Sequence, residues 1–430
     1  MSEGKVVVGV DIGTSKIITV IAKVDEAVNV LGVSEVISTG IRKGQIVNIE
    51  EAVAAINASL EAAERMAGYS ASHIIASIGG NHIESQNSRG VVAISNPQGE
   101  ITQNDMDRVI DAAKAVSLPS SREIIHVLPR SYIVDGQEGI KDPIGMTGVR
   151  LEVDTHIISA NSSYIRNLEK AFSEVGVDLD GLVFSGYASS LAVLSETEKE
   201  LGVVLVDIGA GTTDISVFVE GSVAYSSVLP IGARHITNDL AIGLRLSLES
   251  AEKIKLFLSK QAKALRKIEI DNLGRGRERT SDEMDLTSLN LPEDVSKISQ
   301  KTLVDGIIMP RLKEIFTFVG LEIKKSGFAG QTPSGLVITG GGARTIGAQE
   351  AAKRTLAMPV RIGEPTNMKG IIDEIQDSAF SAVVGVIVYG ATLEGKAGLP
   401  FGFSMPKLPG GAQFSKSFGK IISFIKSFMP

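Results

Sequence analysis

The tetrapeptide Val-Asp-Ile-Gly occurs twice, at Val10–Gly13 within "VGVDIGTSKIITV" and at Val206–Gly209 within "VLVDIGAGTTDIS". Each copy ends an apolar, β-branched run with an aspartate, turns through glycine and hydroxyl residues, and returns into a second apolar run, which reads as a β-hairpin. In the first, Val6–Val10 rises, Asp11–Ser15 turns and Lys16–Ala22 returns; in the second, "GVVLVDIG" rises, "AGTTD" turns and "ISVFVEGSVAYSSVL" returns and pairs again. Two such hairpins, one in each half, make the chain look like its own distant copy.

A single glycine turn between strands is ordinarily only a turn. Repetition with the same acid gives the two tips a common task. Backbone N–H groups and Thr or Ser hydroxyls at the tips suit phosphate oxygens, while Asp11 and Asp207 suit a hydrated Mg²⁺. A third glycine-rich element lies at "SGLVITGGGARTIGAQEAAKRTL", where strand Leu336–Thr339 meets Gly340, Gly341 and Gly342 ahead of a helix from near Ile346. Three glycines let backbone approach a flat ligand beside a helix start. Between these elements Gly232 and Ala233 precede a helix, and Glu252 and Lys255 share one helical face, a spacing equally suited to a surface ion pair.

With 430 residues, 43% hydrophobic, the chain is long enough for two or more cores, and we expect at least two domains. A formal net charge of -7 argues against a nucleic-acid partner, which needs basic surface to neutralise phosphates. Cysteine is absent, and His73, His82, His126, His156 and His235 are scattered without ligand spacing, so any metal falls to carboxylates and a substrate. The start, "MSEGKVVVGVDIG", lacks the features of a signal peptide, from which a cytoplasmic location is expected. No stretch approaches the roughly 20 uncharged apolar residues of a spanning helix.

The order of "DIGTSK", "GLVFSGYASSLAVL", "DIGAGTTD", "ITGGGART" and "SAVVGVIVYGA" resembles the phosphate-1, connect-1, phosphate-2, adenosine and connect-2 motifs of the actin, heat-shock-70 chaperone and sugar-kinase superfamily. The resemblance implies an α/β, actin-like fold: two similar domains around a nucleotide cleft, with ATP gripped between the hairpins. By position it assigns Asp11, Gly13, Thr14, Ser15 and Lys16 to the β- and γ-phosphates from one side, and Asp207, Gly209, Gly211, Thr212 and Thr213 from the other. It adds Gly232 to the site, gives Glu252 and Lys255 to the ribose or base, and Gly340, Gly341, Gly342 and Arg344 to the adenosine.

Metabolic members of that superfamily need a carboxylate base near the γ-phosphate, and connect-1 here, "GLVFSGYASSLAVLS", contains no acid. Hydrolysis would rest on Asp11, Asp207 and Asp214 positioning Mg²⁺ and water, and we expect it to be slow or conditional. Such a chain fits a nucleotide-controlled scaffold better than a small-molecule kinase.

The segment from "IIASIGG" to "LEVDTHIISA", above all "KDPIGMTGVRLEVDTHII", resembles the inserted subdomain of the bacterial cell-division FtsA family. From its own residues it reads as an α+β module: a helix from about Gln103 to Ala115 capped by Thr102 or Asn104, then strands near Glu123–Val134 and Arg150–Ala160. The expected domains are a first actin-like domain at 1–84 and 163–200, the insert at 85–162, a second-domain core at 201–230 and 306–394, an outer subdomain at 231–305, a linker at 395–413 and a helix at 414–430. Leu258 to Val304, with its "GRGRERTSDEMD" and "SLNLPEDVS", reads as a loop and short elements.

In the tail, Phe414, Phe418, Ile421, Ile422, Phe424, Ile425 and Phe428 gather on one helical face, opposite Lys416, Lys420 and Lys426. An apolar face opposite an acid-free basic one suits the headgroup layer of an anionic membrane, the alternative being a helix docked on the protein's own core. The FtsA resemblance implies partners as well: the C-terminal peptide of the tubulin-like protein FtsZ, membrane lipids, further copies of the chain in a filament, and later division proteins on the insert. It places the protein on the cytoplasmic face of the inner membrane at the division site. A type IV pilus scaffold of the PilM type is the nearest rival, and a small-molecule kinase the enzymatic one.

Overall fold

The first apolar run forms strand Lys5–Ile12 and returns as Lys16–Val24, with Asp11 opposite Ile18. The second forms Val203–Ile208 and returns as Thr213–Val219, with Asp207 opposite Asp214. Asp214 therefore belongs to the returning strand, one residue inside it, rather than to the turn. The same backbone bond closes both tips: Gly13 N–H donates to Lys16 O at 3.1 Å, and Gly209 N–H to Thr212 O at 2.9 Å. The computed structural model describes residues 5–96, 98–116, 118–271, 282–293, 295–370 and 375–393, without the side chains of 262–271. The linker and the tail helix, with all of its named residues from Phe414 to Phe428, lie outside the described residues.

Each hairpin extends to a third antiparallel strand, Val28–Ile37 in one half and Ser222–Leu229 in the other. On its other side each rising strand takes two parallel neighbours, His73–Ile78 and Asp178–Phe184 in the first half, Leu336–Thr339 and Val360–Ile362 in the second. The two halves thus share one five-strand order, and the first sheet gains a sixth strand, Met368–Gly370, from the far end of the chain.

One face of the first sheet is covered by helices Ile49–Ala67 and Ser162–Val175, around fully buried Ile17, Ile56 and Phe172. Asn48 caps the former helix by accepting from Glu51 N–H, an interaction worth about 1 kcal/mol. The outer face of the second sheet is covered by helices Arg234–Leu244, Leu248–Asp271, Met309–Lys325 and Ala348–Leu356. The helix from Leu248 runs on through Asp271, well into the stretch expected to be loop, and is followed by the small strand pair Glu283–Asp285 and Lys297–Ser299. Lysine, leucine and alanine in "KLFLSKQAKALRK" carry high helix propensity, and that signal outweighs the glycine-rich composition downstream.

Helices Ser185–Val193 and Ser381–Leu393 lie between the sheets, in one apolar cluster that takes Val20 from the first and Leu205 from the second. They touch where a Cβ on Gly385 would stand 1.7 Å from Ala188 O, an approach only glycine permits. The insert is a four-stranded antiparallel sheet, ordered Glu84–Ala93, Arg150–Asn161, Arg122–Val134, Gln137–Ile140, with helix Gln103–Lys114 on one face. Thr102 and Asp105 form a reciprocal capping box at the start of that helix.

Candidate functional site between the two hairpins

The hairpin tips meet. A Cβ on Gly211 would lie 2.9 Å from Thr14 Oγ1, so the second tip packs backbone against the first tip's threonine. Around this meeting point a cavity of about 100 Å³ is lined by Asp11, Gly13, Thr14, Ser15 and Lys16 from the first half, and by Asp207, Gly209, Thr212 and Asp214 from the second. Gly340 and Gly341 close it from the third glycine-rich element. An adjoining cavity of about 270 Å³ has apolar walls from Leu256, Ala343, Ile346 and Ile362, with Lys260, Arg344 and Glu364 also lining it.

The remaining candidates stand behind these walls. Thr213 Oγ1 donates to Ile231 O at 2.8 Å, and Gly232 packs against the carbonyls of Gly209 and Ala210, where a Cβ would lie 2.6 and 2.7 Å away. The start of helix Arg234–Leu244 then braces the tip, Ala233 and Arg234 donating to Gly209 O and Ala210 O at 2.9 Å each. Gly342 packs on Ile208. Glu252 and Lys255 form a 2.7 Å ion pair, Lys255 buried, and both bond to the Thr237 hydroxyl. Neither lines the larger cavity; one turn further along the same helix, Leu256, Ser259 and Lys260 do. Arg344 lines it and pairs with Asp377 at 3.4 Å.

Sequence reading passed over Gly44, Gly79 and Ser185, which also line the smaller cavity. Gly44 N–H donates to Thr14 Oγ1 at 3.2 Å. Gly79 was legible in principle, since a Gly-Gly pair directly follows the apolar run "IIASI".

Three carboxylates, Asp11, Asp207 and Asp214, line this cavity together. Burial pushes Asp11 up, against a 2.6 Å bond from Ser77 Oγ and the charge of Lys16. Burial likewise pushes Asp207 up to about 7, opposed by the Ser189 hydroxyl at 2.5 Å and reinforced by Asp11. Asp214 lies well above the usual carboxylate range through burial and the charges of Asp207 and Asp11. Its Oδ1 is buried and has no hydrogen-bond partner. Lys16, the cation at the site, is paired with Glu35 at 2.7 Å and lies 5.2 Å from the Phe380 ring centre. Among the described residues no three acidic or histidine side chains come close enough to enclose a bare metal ion. An orphaned carboxylate oxygen beside two raised acids fits a cation that keeps its waters and takes its remaining ligands from a bound anion.

The duplicated sheets, the paired tips and the crossing helices define an actin-like, two-lobed protein. Its fold is shared, at 13% sequence identity, with the "PilM-PilN type IV pilus biogenesis complex" (TM-score 0.59; 90% of this chain and 98% of that one). It is shared at the same identity with MreB5 of Spiroplasma citri bound to ADP (TM-score 0.54; 91% and 97%). Residues 80–159 match the family model described as "SHS2 domain inserted in FTSA", and residues 204–385 match that of "Cell division protein FtsA". The cell division protein FtsA of Pseudomonas aeruginosa is 38% identical over 396 residues, covering 91% of this chain and 90% of its own. The chain belongs to the FtsA cell-division family.

Proposed function

We propose that the protein binds ATP between its lobes and, as a self-assembling filament, tethers FtsZ to the cytoplasmic face of the inner membrane through its tail. The observation that carries the nucleotide reading is the meeting of the two hairpin tips around three buried carboxylates held above their ordinary range. Tip amides and the hydroxyls of Thr14, Ser15 and Thr212 would hold phosphate oxygens, with Lys16 available once it leaves Glu35. Asp11, Asp207 and Asp214 would hold a hydrated Mg²⁺, which supplies charge neutralisation at the phosphates. The larger cavity, apolar walled and polar rimmed, would take the nucleoside. MreB5, of the same fold, is bound to ADP, which supports a nucleotide in this class of cleft.

Membrane binding rests on the amphipathic tail sequence, since among the described residues no helix is long and apolar enough to cross a bilayer. Each tail lysine adds on the order of 1 kcal/mol near an anionic surface, so one tail binds reversibly and a filament of many binds firmly. Family membership supports, as part of this proposal, FtsZ binding and recruitment of later division proteins by the insert. The PilM rival shares the fold alone. The helix Ser185–Val193 brings no acid to the phosphates, which speaks against a kinase.

The test is co-sedimentation with anionic liposomes, comparing the full chain with one ending at Gln413, each with and without ATP and with FtsZ added. Pelleting of FtsZ by the full chain alone, raised by ATP, is the expected result. FtsZ remaining in solution with both chains would overturn the tethering reading.

A further inference from the structure

The insert leaves the first lobe after Ile83 and returns at Asn161, and its root is packed there. Ile83, Ile125 and Ile158 join Ile78 and Phe184 of the first lobe in one buried cluster. Arg122 of the insert donates to His82 O at 3.0 Å and to Ser159 O at 2.9 Å.

Its other attachment is to the second lobe. Ser85 and Asn87, two apart on the insert's edge strand, point the same way. They meet Ser226 and Ala224, two apart on the edge strand of the second sheet. Ser85 Oγ donates to Ser226 O at 2.6 Å and accepts from Ser226 N–H at 3.2 Å, and Asn87 Nδ2 donates to Ala224 O at 3.1 Å. His156 fixes both, with Nδ1 at 2.7 Å from Asn87 Oδ1 and Nε2 at 3.0 Å from Ser226 Oγ. Ser222 Oγ adds a bond to Arg130 O at 3.1 Å. Side chains here take the place of a backbone ladder. The joint is consequently a set of separable side-chain contacts, with the Lys141–Glu200 ion pair at 3.6 Å and Arg130 5.4 Å from the Phe328 ring centre beside these hydrogen bonds, rather than a continuous sheet.

The joint's place in the two sheets gives it mechanical consequence. The chain passes between lobes into the central strand Val203–Ile208, and back beyond strand Val360–Ile362, which lies at one edge of the second sheet. Strand Ser222–Leu229 is the opposite edge. In the first sheet the returning strand Met368–Gly370 and the strands at the insert's root, His73–Ile78 and Asp178–Phe184, likewise occupy opposite sides. The two crossovers and the Gly385–Ala188 contact join the lobes on one side, and the Ser85–Ser226 joint links them again at the far edges.

We propose that the inserted subdomain is a strap between the lobes that limits the rate at which the cleft exchanges nucleotide. This rests on the nucleotide reading above. A ligand gripped by both tips is released faster when the lobes part, and parting them breaks the Ser85, Asn87 and Ser222 bonds.

The test is release of a fluorescent ATP analogue with Mg²⁺ from the full chain, chased by excess ATP. Ser85→Ala with Asn87→Ala is expected to speed release at least tenfold, because it removes three of the bonds that parting the lobes must break. Lys114→Ala, which removes an exposed ion pair on the insert's helix, is expected to leave the rate unchanged. Because the chain has no cysteine, Ser85→Cys with Ser226→Cys can be joined by a short thiol-reactive linker, and the joined protein is expected to release more slowly than the unjoined one. An unchanged rate in the double alanine variant, or wild-type release from the joined protein, would overturn the strap. Failure of the unaltered chain to bind the analogue at all would instead overturn the nucleotide reading.

Discussion

Replacing Asp207 by asparagine should stabilise the free protein while damaging its use of nucleotide. The carboxylate is buried, close to Asp11 and Asp214, and its folded value stands at about 7 against an ordinary 3.8. A raised folded value means that the unfolded chain gives up this proton first, so ionised Asp207 opposes folding. The cost is absent below about pH 4, grows between pH 4 and 7, and is complete above pH 7. A difference of that size corresponds to on the order of 4 kcal/mol. Asparagine keeps the shape and can still accept from Ser189, but carries no charge. Thermal unfolding without ligand should therefore show Asp207→Asn more stable than wild type at pH 8, with the gain fading by pH 4. With Mg²⁺ and ATP the order should reverse at pH 8, because the wild-type carboxylate gains its cation and the amide does not. Equal destabilisation at both pH values, or equal stabilisation of both proteins by Mg²⁺ and ATP, would refute a carboxylate held in readiness for a cation.

The adjacent glycines offer a matched pair. Gly340 has φ 82° and ψ 171°, a region almost confined to glycine, and its Cβ would stand 2.1 Å from Asp207 Oδ1; Gly340→Ala should cost about 2–4 kcal/mol and weaken ATP·Mg²⁺ binding at least tenfold by calorimetry. Gly341→Ala, whose nearest protein neighbour is Ala379 Cβ at 4.0 Å, should leave stability unchanged, and an equal loss of stability would refute the cradle. Gly385→Val should lower the denaturation midpoint by several degrees, because the helices cannot approach at Ala188 O, and a wild-type midpoint would refute that crossing. The His126 ring, buried with its Nε2 accepting from Phe184 N–H, should titrate near pH 3 rather than 6.5 by NMR, and ordinary titration would refute its burial at the root of the insert.

The hairpins were legible because their information is local: apolar runs of the right length, an acid and a glycine at each tip, and nothing between them to compete. The five-strand order of the two halves agrees with the duplication that those few residues announced. What was not legible depends on distant partners. Glu252 and Lys255 sit on the predicted helix, but which turn of that helix reaches the larger cavity is set by packing around Thr237, invisible in sequence spacing. Ser85 and Asn87 look like ordinary polar residues of an exposed strand until Ser226 and Ala224 are brought against them. The glycine-rich charges after Leu258 suggested a loop, yet helix continues to Asp271, since breakers further downstream say little about the residues before them.

The tips have the same backbone and different charges, and that difference divides the work between them. Their shared closing bond aligns Lys16 with Thr212, Ile17 with Thr213 and Ile18 with Asp214. The first copy has thus filled its returning strand with apolar residues and kept a cation at the turn. The second has put a hydroxyl and an extra carboxylate where the first has isoleucines. Two identical acidic tips facing one another would repel both each other and a polyphosphate. With Lys16 on one side the first tip could meet an anion directly, while Asp207 and Asp214 on the other would require a hydrated cation between themselves and that anion on the proposed reading. Lys16 acts on Asp11 while it is also paired with Glu35, so a bound anion has to compete with that carboxylate for it. On the proposed reading, a clamp with this asymmetry would hold nothing tightly until both anion and cation are present.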